Sequence, residues 1–278
     1  MLKKTLIAAA ILCSSLALFA QTIETPQPSP TQSIKQNFGL SSITLVYSRP
    51  GIKGRKVFGD LVPFGKVWRT GANSATTIEF GDDVTIGGTK IQKGEYGLIT
   101  IPDKDVWTVI ITKQLDITSP SAYKPENDLV RTTVKPAALK DVVESFTMQF
   151  ANVKPTSCEL QMMWENTIVA LPITTDVDSK VSARIKEVMS SDSRPYFQAA
   201  VYYLENGKDL NQALSWFDEA VKQQPDAYWV HLQRANCLAK LGKKEEAKAA
   251  SQKSKELAIK AGNDDYVRLN DKLMAQLK

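Results

Sequence analysis

From Ser33 to Thr174 no helical period interrupts a succession of short alternating segments, and this constrains the chain more than any other feature. Ile34, Gln36 and Phe38 alternate, Gly39 permits a turn, and Ile43, Leu45 and Tyr47 alternate again, the pattern of a β-hairpin. Further strands are expected at Ala75–Phe80, Val84–Ile86, Thr89–Ile91, Glu95–Ile101, Trp107–Thr112, Leu129–Lys135, Val142–Phe150, Ser157–Trp164 and Thr167–Thr174. Gly87-Gly88 marks one tight turn, and Glu165-Asn166 joins the last two strands. Strands at this spacing without helices between them predict an antiparallel β-sandwich over residues 33–176.

At Asp176–Ser179 the period changes. Val181, Ile185, Val188 and Met189 share one helical face, and the chain becomes rich in Ala, Lys, Glu and Leu. Tyr196, Ala199, Ala200, Tyr203, Gly207, Ala213, Phe217, Ala220 and Pro225 match the tetratricopeptide pattern with one inserted residue. His231, Ala235, Leu238, Gly242 and Ala247 form a second copy. Ala213 and Ala247 are 34 residues apart, the repeat length of that pattern. The second copy is degenerate, with Arg234 and Ser251 where apolar residues are expected, and a last helix, Asp264–Leu277, caps it. The fold class expected is therefore an antiparallel β-sandwich followed by a small tetratricopeptide-like helical bundle over 180–278.

Residues 1–20 read as an export signal: Lys3 and Lys4, an apolar run, then Leu18-Phe19-Ala20 before Gln21. Residues 21–32, rich in Pro, Thr, Ser and Gln, read as a flexible linker. No later apolar stretch has the roughly 20 residues of a bilayer span. The expectation is an exported protein, periplasmic or envelope-associated in a bacterium, with no transmembrane segment after signal removal. Cys158 and Cys237 fall in different expected domains and read as free, buried residues.

Of the 35 basic residues, 33 lie beyond the signal and stand against 30 acids. Arg49, Lys53, Arg55, Lys56, Lys66 and Arg69 crowd one irregular segment, Arg49 to Thr77, with Asp60 the one acid among them. Its net +5 leaves the rest of the mature chain at −2, so the positive charge is local and argues against a nucleic-acid partner. Glycine, proline, Phe58, Phe64 and Trp68 punctuate the segment, as in an ordered functional loop. A second long loop spans Lys113 to Asp128.

The run Tyr47-Ser48-Arg49-Pro50, Lys53-Gly54-Arg55, Phe58-Gly59, Pro63, Gly65 and Trp68-Arg69-Thr70-Gly71-Ala72-Asn73 resembles the domain-of-unknown-function 2911 family. Gly94-Glu95-Tyr96-Gly97-Leu98, Ile101-Pro102 and Trp164-Glu165 extend the resemblance over about 29–176. It implies an exported bacterial protein. It implies no activity and carries over no catalytic residue.

His231 is the one histidine of the chain, so residues 33–176 have none. This excludes a Ser-His-Asp triad there, and histidine-based zinc or copper sites. No cofactor, metal site or catalytic residue is assigned. Arginine forks bind carboxylate, phosphate or sulfate, and Trp68 or Phe64 offers a face for a sugar. Arg49, Arg55, Trp68, Arg69 and Asn73 are therefore the candidate site for a small anionic or carbohydrate-like ligand. In the competing reading, Arg49 or Arg69 pairs internally with Asp60 or Glu165 and Trp68 plugs the core. Val230, His231 and Arg234 are placed near a groove for a protein partner, if the repeats form one, though His231 also reads as a packed residue. The leading function is non-enzymatic binding. The alternatives are a histidine-free hydrolase acting on glycans through Asp60, Glu79, Glu95 or Glu165, and a purely structural envelope protein.

Overall fold

The computed structural model describes residues 25–191 and 194–278. The expected export signal lies outside the described residues, as does the start of the linker. The chain divides into two units, at Thr175/Asp176.

Among the described residues the first unit contains ten strands: β1 Thr31–Phe38, β2 Ser41–Ser48, β3 Thr76–Phe80, β4 Val84–Ile86, β5 Thr89–Ile91, β6 Gly94–Ile101, β7 Trp107–Thr112, β8 Asp128–Val134, β9 Ala137–Ala151 and β10 Ser157–Thr174. They form a six-stranded sheet in the order β1-β2-β3-β6-β7-β8 and a four-stranded sheet in the order β5-β4-β10-β9. Every pairing is antiparallel. Residues 31 and 32, read as linker, are instead the first of β1, because Thr31 and Gln32 pair with Ser48 and Tyr47.

Alternation decides which residues meet between the sheets. Ile43, Leu45 and Tyr47 of β2, Ile78 and Phe80 of β3, and Trp107, Val109 and Ile111 of β7 pack against Phe146 and Met148 of β9 and Leu160, Met162 and Trp164 of β10. The outer face of β6 and β7 is covered too. Ile99 and Ile110 are buried with Ala75 and Ile117, beneath the loop that leads to β8. This is why Val109-Ile110-Ile111 reads as a continuous apolar run rather than an alternation.

The two strands expected at Ser157–Trp164 and Thr167–Thr174 are one strand of 18 residues. Glu165-Asn166 is a bulge, not a turn. The register with β9 shifts on either side of Glu165, whose φ is 55°. Before the bulge the even residues Cys158, Leu160, Met162 and Trp164 are buried; after it the odd residues Val169, Leu171 and Ile173 are. The extra residue flips the parity and keeps the apolar side facing the core.

The second unit contains α1 Asp178–Val188, α2 Tyr196–Glu205, α3 Leu210–Gln223, α4 Tyr228–Lys240, α5 Lys244–Lys260 and α6 Asp264–Gln276. Asp209 caps α3 by accepting from the backbone N–H groups of Asn211 and Gln212, and Asn263 caps α6 by accepting from that of Tyr266. Ala200, Leu204, Ala213 and Phe217 form one core cluster with Cys237; Leu232, Ala235, Leu238, Ala247 and Ala250 form another with Leu273 and Leu277. Ser251, out of place in an apolar pattern, is fully buried and donates to Asn270 Oδ1 of α6 at 3.0 Å. Asn270 Nδ2 in turn donates to Ser254 Oγ at 2.9 Å, so the buried polar atoms satisfy one another. Among the described residues, no helix is long and apolar enough to cross a membrane.

Candidate functional site

The segment between β2 and β3 is held to both sheets by backbone hydrogen bonds. At its start Ile52 N donates to Glu144 O and Phe146 N donates to Pro50 O, both 2.9 Å, tying it to β9. Further on, Trp68 N donates to Thr100 O at 2.8 Å and Thr100 N to Trp68 O at 3.0 Å, an antiparallel bridge onto β6. Between these ties the segment turns at Gly54, Gly59 and Gly65, all of positive φ. Phe64 packs so tightly on Gly59 that a Cβ there would lie 2.6 Å from its ring.

Trp68 is a core residue, 7% exposed. Its ring stacks on Trp164 and meets Phe58, Trp107 and Phe146 edge-on, and its Nε1–H donates to Gly71 O at 3.0 Å. Trp68 therefore has no open face for a sugar to stack on. The next residues are strained. Thr70 is fully buried at φ 56°, a left-handed conformation costly for a β-branched side chain. Three hydrogen bonds hold it: Oγ1 lies 3.0 Å from Thr100 Oγ1 and 3.3 Å from Trp68 O, and its carbonyl accepts from Thr76 Oγ1 at 2.6 Å.

This strained turn forms one wall of a cavity of about 300 Å³. Arg55 and Arg69 line it, with Ser29, Pro50, Leu61, Val62, Ala72, Pro120, Trp68 and Trp164; among the described residues no acidic side chain does. Arg55 is exposed, and its guanidinium donates to Ile52 O at 3.0 Å and Gly51 O at 2.7 Å. Arg69 is half-buried. Its Nη1 donates to Thr118 O at 2.9 Å, and among the described residues its buried Nε has no hydrogen-bond partner. The two long loops of the sequence thus meet here, since Thr118 and Pro120 belong to the second.

The other two candidate residues lie elsewhere. Arg49 does not line the cavity. Its Nε donates to Phe146 O at 3.1 Å and its Nη2 to Thr147 Oγ1 at 2.9 Å, so it ties the end of β2 to β9. Asn73, at φ 62°, donates from Nδ2 to Ser29 O and Ser48 Oγ, both at 3.2 Å. It lines a neighbouring cavity of about 530 Å³ beside Gln27, Pro28, Ser48 and Ser74. The internal pairing considered for Arg49 and Arg69 runs to carbonyl and hydroxyl oxygens rather than to Asp60 or Glu165. Trp164, Pro120 and Ser29 are cavity residues that the sequence does not assign to the site. Trp164 was visible as an isolated tryptophan in an apolar strand, whereas Ser29 lies in a stretch composed like a linker.

The carboxylates considered for hydrolysis do not converge on the cavity. Glu79 and Glu95 are cross-strand partners on β3 and β6 and face solvent. Glu165 Oε1 accepts from Val57 N at 3.4 Å, and Asp60 is exposed in the loop. Among the described residues, no group of three or more His, Cys, Asp or Glu side chains is placed to hold a metal.

Beside the second loop, Tyr123 Oη donates to Asp128 Oδ2 at 2.6 Å and accepts from Arg131 Nη2 at 2.6 Å. Arg131 Nε also donates to Asp128 Oδ2, at 2.7 Å. Burial, then the bond to Asp128, pushes the Tyr123 phenol up to about 12.

In the helical unit the partner-groove assignment of Val230 and His231 is corrected. Val230 is fully buried with Ala220 and Ala227. His231 is 8% exposed, with Nε2 2.8 Å from Pro225 O. Both serve packing, as the large residues of a helix that faces inward on two sides. Arg234 is bound to Asp218 at 2.6 Å. Cys158 and Cys237 are free and buried, and burial raises both thiols, Cys158 to about 11.

A family model described as "Protein of unknown function (DUF2911)" matches residues 29–173. No curated protein and no solved structure matches the chain. The match spans over half of the chain, which belongs to that family.

Proposed function

We propose that this DUF2911 protein is a non-enzymatic binding protein whose cavity between the loops 49–75 and 113–127 holds a small anionic ligand. One observation carries the reading: among the described residues, Arg55 and Arg69 line a cavity that no acidic side chain shares, and the buried Nε of Arg69 has no partner. A buried donor without an acceptor costs about 1–3 kcal/mol, a cost a bound anion would remove once the Arg69 side chain turns its Nε toward the cavity. The strained Thr70 beside Arg69 supports the same reading, since strain of this kind gathers at binding sites. Because the carboxylates lie outside the cavity, binding rather than hydrolysis is proposed.

The protein is proposed to act outside the cytoplasm, on the strength of the Lys3–Ala20 signal pattern. The helical unit is proposed to be tetratricopeptide-like. Ala213 and Ala247 are each the fourth residue of α3 and α5, stand 34 residues apart and are both fully buried, as equivalent crossing points of two helical hairpins require.

The test is a thermal-shift screen of residues 21–278 with sulfate, phosphate and organic carboxylates. Wild type is expected to gain several degrees with at least one of them, and Arg69→Gln, folded by circular dichroism, is expected to gain none. Equal shifts in the two proteins, or no shift with any anion, would remove the proposal.

A further inference from the structure

Resting on that anion-site reading, we infer that the ligand is a small monocarboxylate with an apolar body of about four to eight atoms, rather than a phosphate, a sugar or an amino acid. The geometry offers charge at one end and hydrocarbon elsewhere. Pro50, Leu61, Val62, Ala72 and Pro120, together with the two tryptophans, make up most of the wall. The volume, about 300 Å³, lies at the lower end of small-molecule sites.

Each alternative ligand lacks a counterpart. A phosphate carries three strong acceptors and up to two charges, and wants several uncommitted donors or a helix N-terminus. Here neither Lys53, Lys56 nor Lys66 lines the cavity, and a phosphate would leave its apolar side facing a wholly polar ligand. A sugar wants an open aromatic face, but Trp68 stacks on Trp164. A free amino acid brings an ammonium, and among the described residues no carboxylate lines the cavity to receive it. A monocarboxylate requires only an arginine donor edge and an apolar slot. Arg69 Nε supplies a donor once the side chain shifts toward the ligand, and Arg55 at the exposed side supplies long-range attraction.

The experiment is calorimetric titration of residues 21–278 with acetate, butanoate, hexanoate and octanoate. Hexanamide, leucine, 4-methylpentanoate and inorganic phosphate serve as controls. Affinity is expected to rise about fourfold per methylene up to a limit set by the cavity. Hexanamide should bind at least tenfold more weakly than hexanoate, and leucine more weakly than 4-methylpentanoate. Arg69→Gln should lose at least tenfold in hexanoate affinity. If that variant does not fold, Arg55→Gln, at an exposed position, is expected to lose about threefold. Phosphate binding without any chain-length dependence would overturn the monocarboxylate inference and leave the anion site standing. Equal binding of hexanoate and hexanamide would overturn the inference as well. Absence of binding by every carboxylate and by phosphate would overturn both readings.

Discussion

Trp68, from the loop between β2 and β3, stacks on Trp164 of the four-stranded sheet with ring centroids 5.8 Å apart and 20° between the planes. The loop therefore inserts its largest side chain into the core that joins the sheets. Arg69 is the next residue, so its position is set by the packing of Trp68 rather than by the loop's own conformation.

Trp68→Ala should cost about 3–5 kcal/mol of unfolding free energy, because a fully packed indole leaves a void its neighbours cannot fill. Urea denaturation of the isolated protein measures this. Anion binding should fall in the same variant even where it remains folded, since Arg69 loses its anchor.

Arg49→Ala should separate stability from binding. The side chain bonds to Phe146 O and Thr147 Oγ1 and does not line the cavity. A loss of about 1–3 kcal/mol is expected in urea, with ligand affinity within twofold of wild type. A tenfold loss of affinity would show that Arg49 belongs to the site.

Gly97→Ala tests the wall formed by the second loop. A Cβ at Gly97 would stand 2.5 Å from Gln114 O and 2.9 Å from Thr112 Cγ2. The backbone of Gln114 must retreat, and the loop carrying Thr118 and Pro120 retreats with it. The expected cost is about 1–3 kcal/mol, accompanied by weaker anion binding. Denaturation and titration of the same preparation check both.

Tyr123 should make stability fall in strong alkali. Its folded value, about 12, lies above the ordinary 10.0, so the folded state holds the phenolic proton more tightly. That contribution is fully present below pH 10 and is lost as pH rises toward 12. Tyr202 is raised in the same way in the other unit, to about 12, so the quantity to measure is the difference between wild type and Tyr123→Phe. Denaturation at pH 9, 10.5 and 12 should show the difference shrinking as pH rises. A difference independent of pH would refute the assignment.

The two thiols should be silent. Cys158 and Cys237 are buried and their thiols are raised, so native protein comprising residues 21–278, which lacks Cys13, should not react with a disulfide reagent at pH 8, and both should react after denaturation.

Strand positions were legible because alternation is a local property: Val84–Ile86, Thr89–Ile91 and Trp107–Thr112 fall where their apolar residues place them. The bulge at Glu165 was not, because Glu165-Asn166 carries the same turn signal whether the strand ends or only flips its face; pairing with β9 chooses between them. The candidate loop was visible in its charge and glycines, but the roles within it were not. Arg49, Arg55 and Arg69 are the same residue type in one segment, and only the partners brought to them separate a tie to β9 from a cavity wall.

The amino-acid sequence by itself determined the order of architecture, strands then helices, and the one segment in which positive charge is concentrated. Those follow from periodicity and composition, which need no distant contact. Tertiary structure alone decided that Trp68 faces the core and that Arg69 keeps an unpartnered Nε. It also decided that Pro120, 51 residues further on, closes the same cavity. These depend on which side chains arrive from remote parts of the chain, and packing between two sheets, rather than any local preference, supplies them.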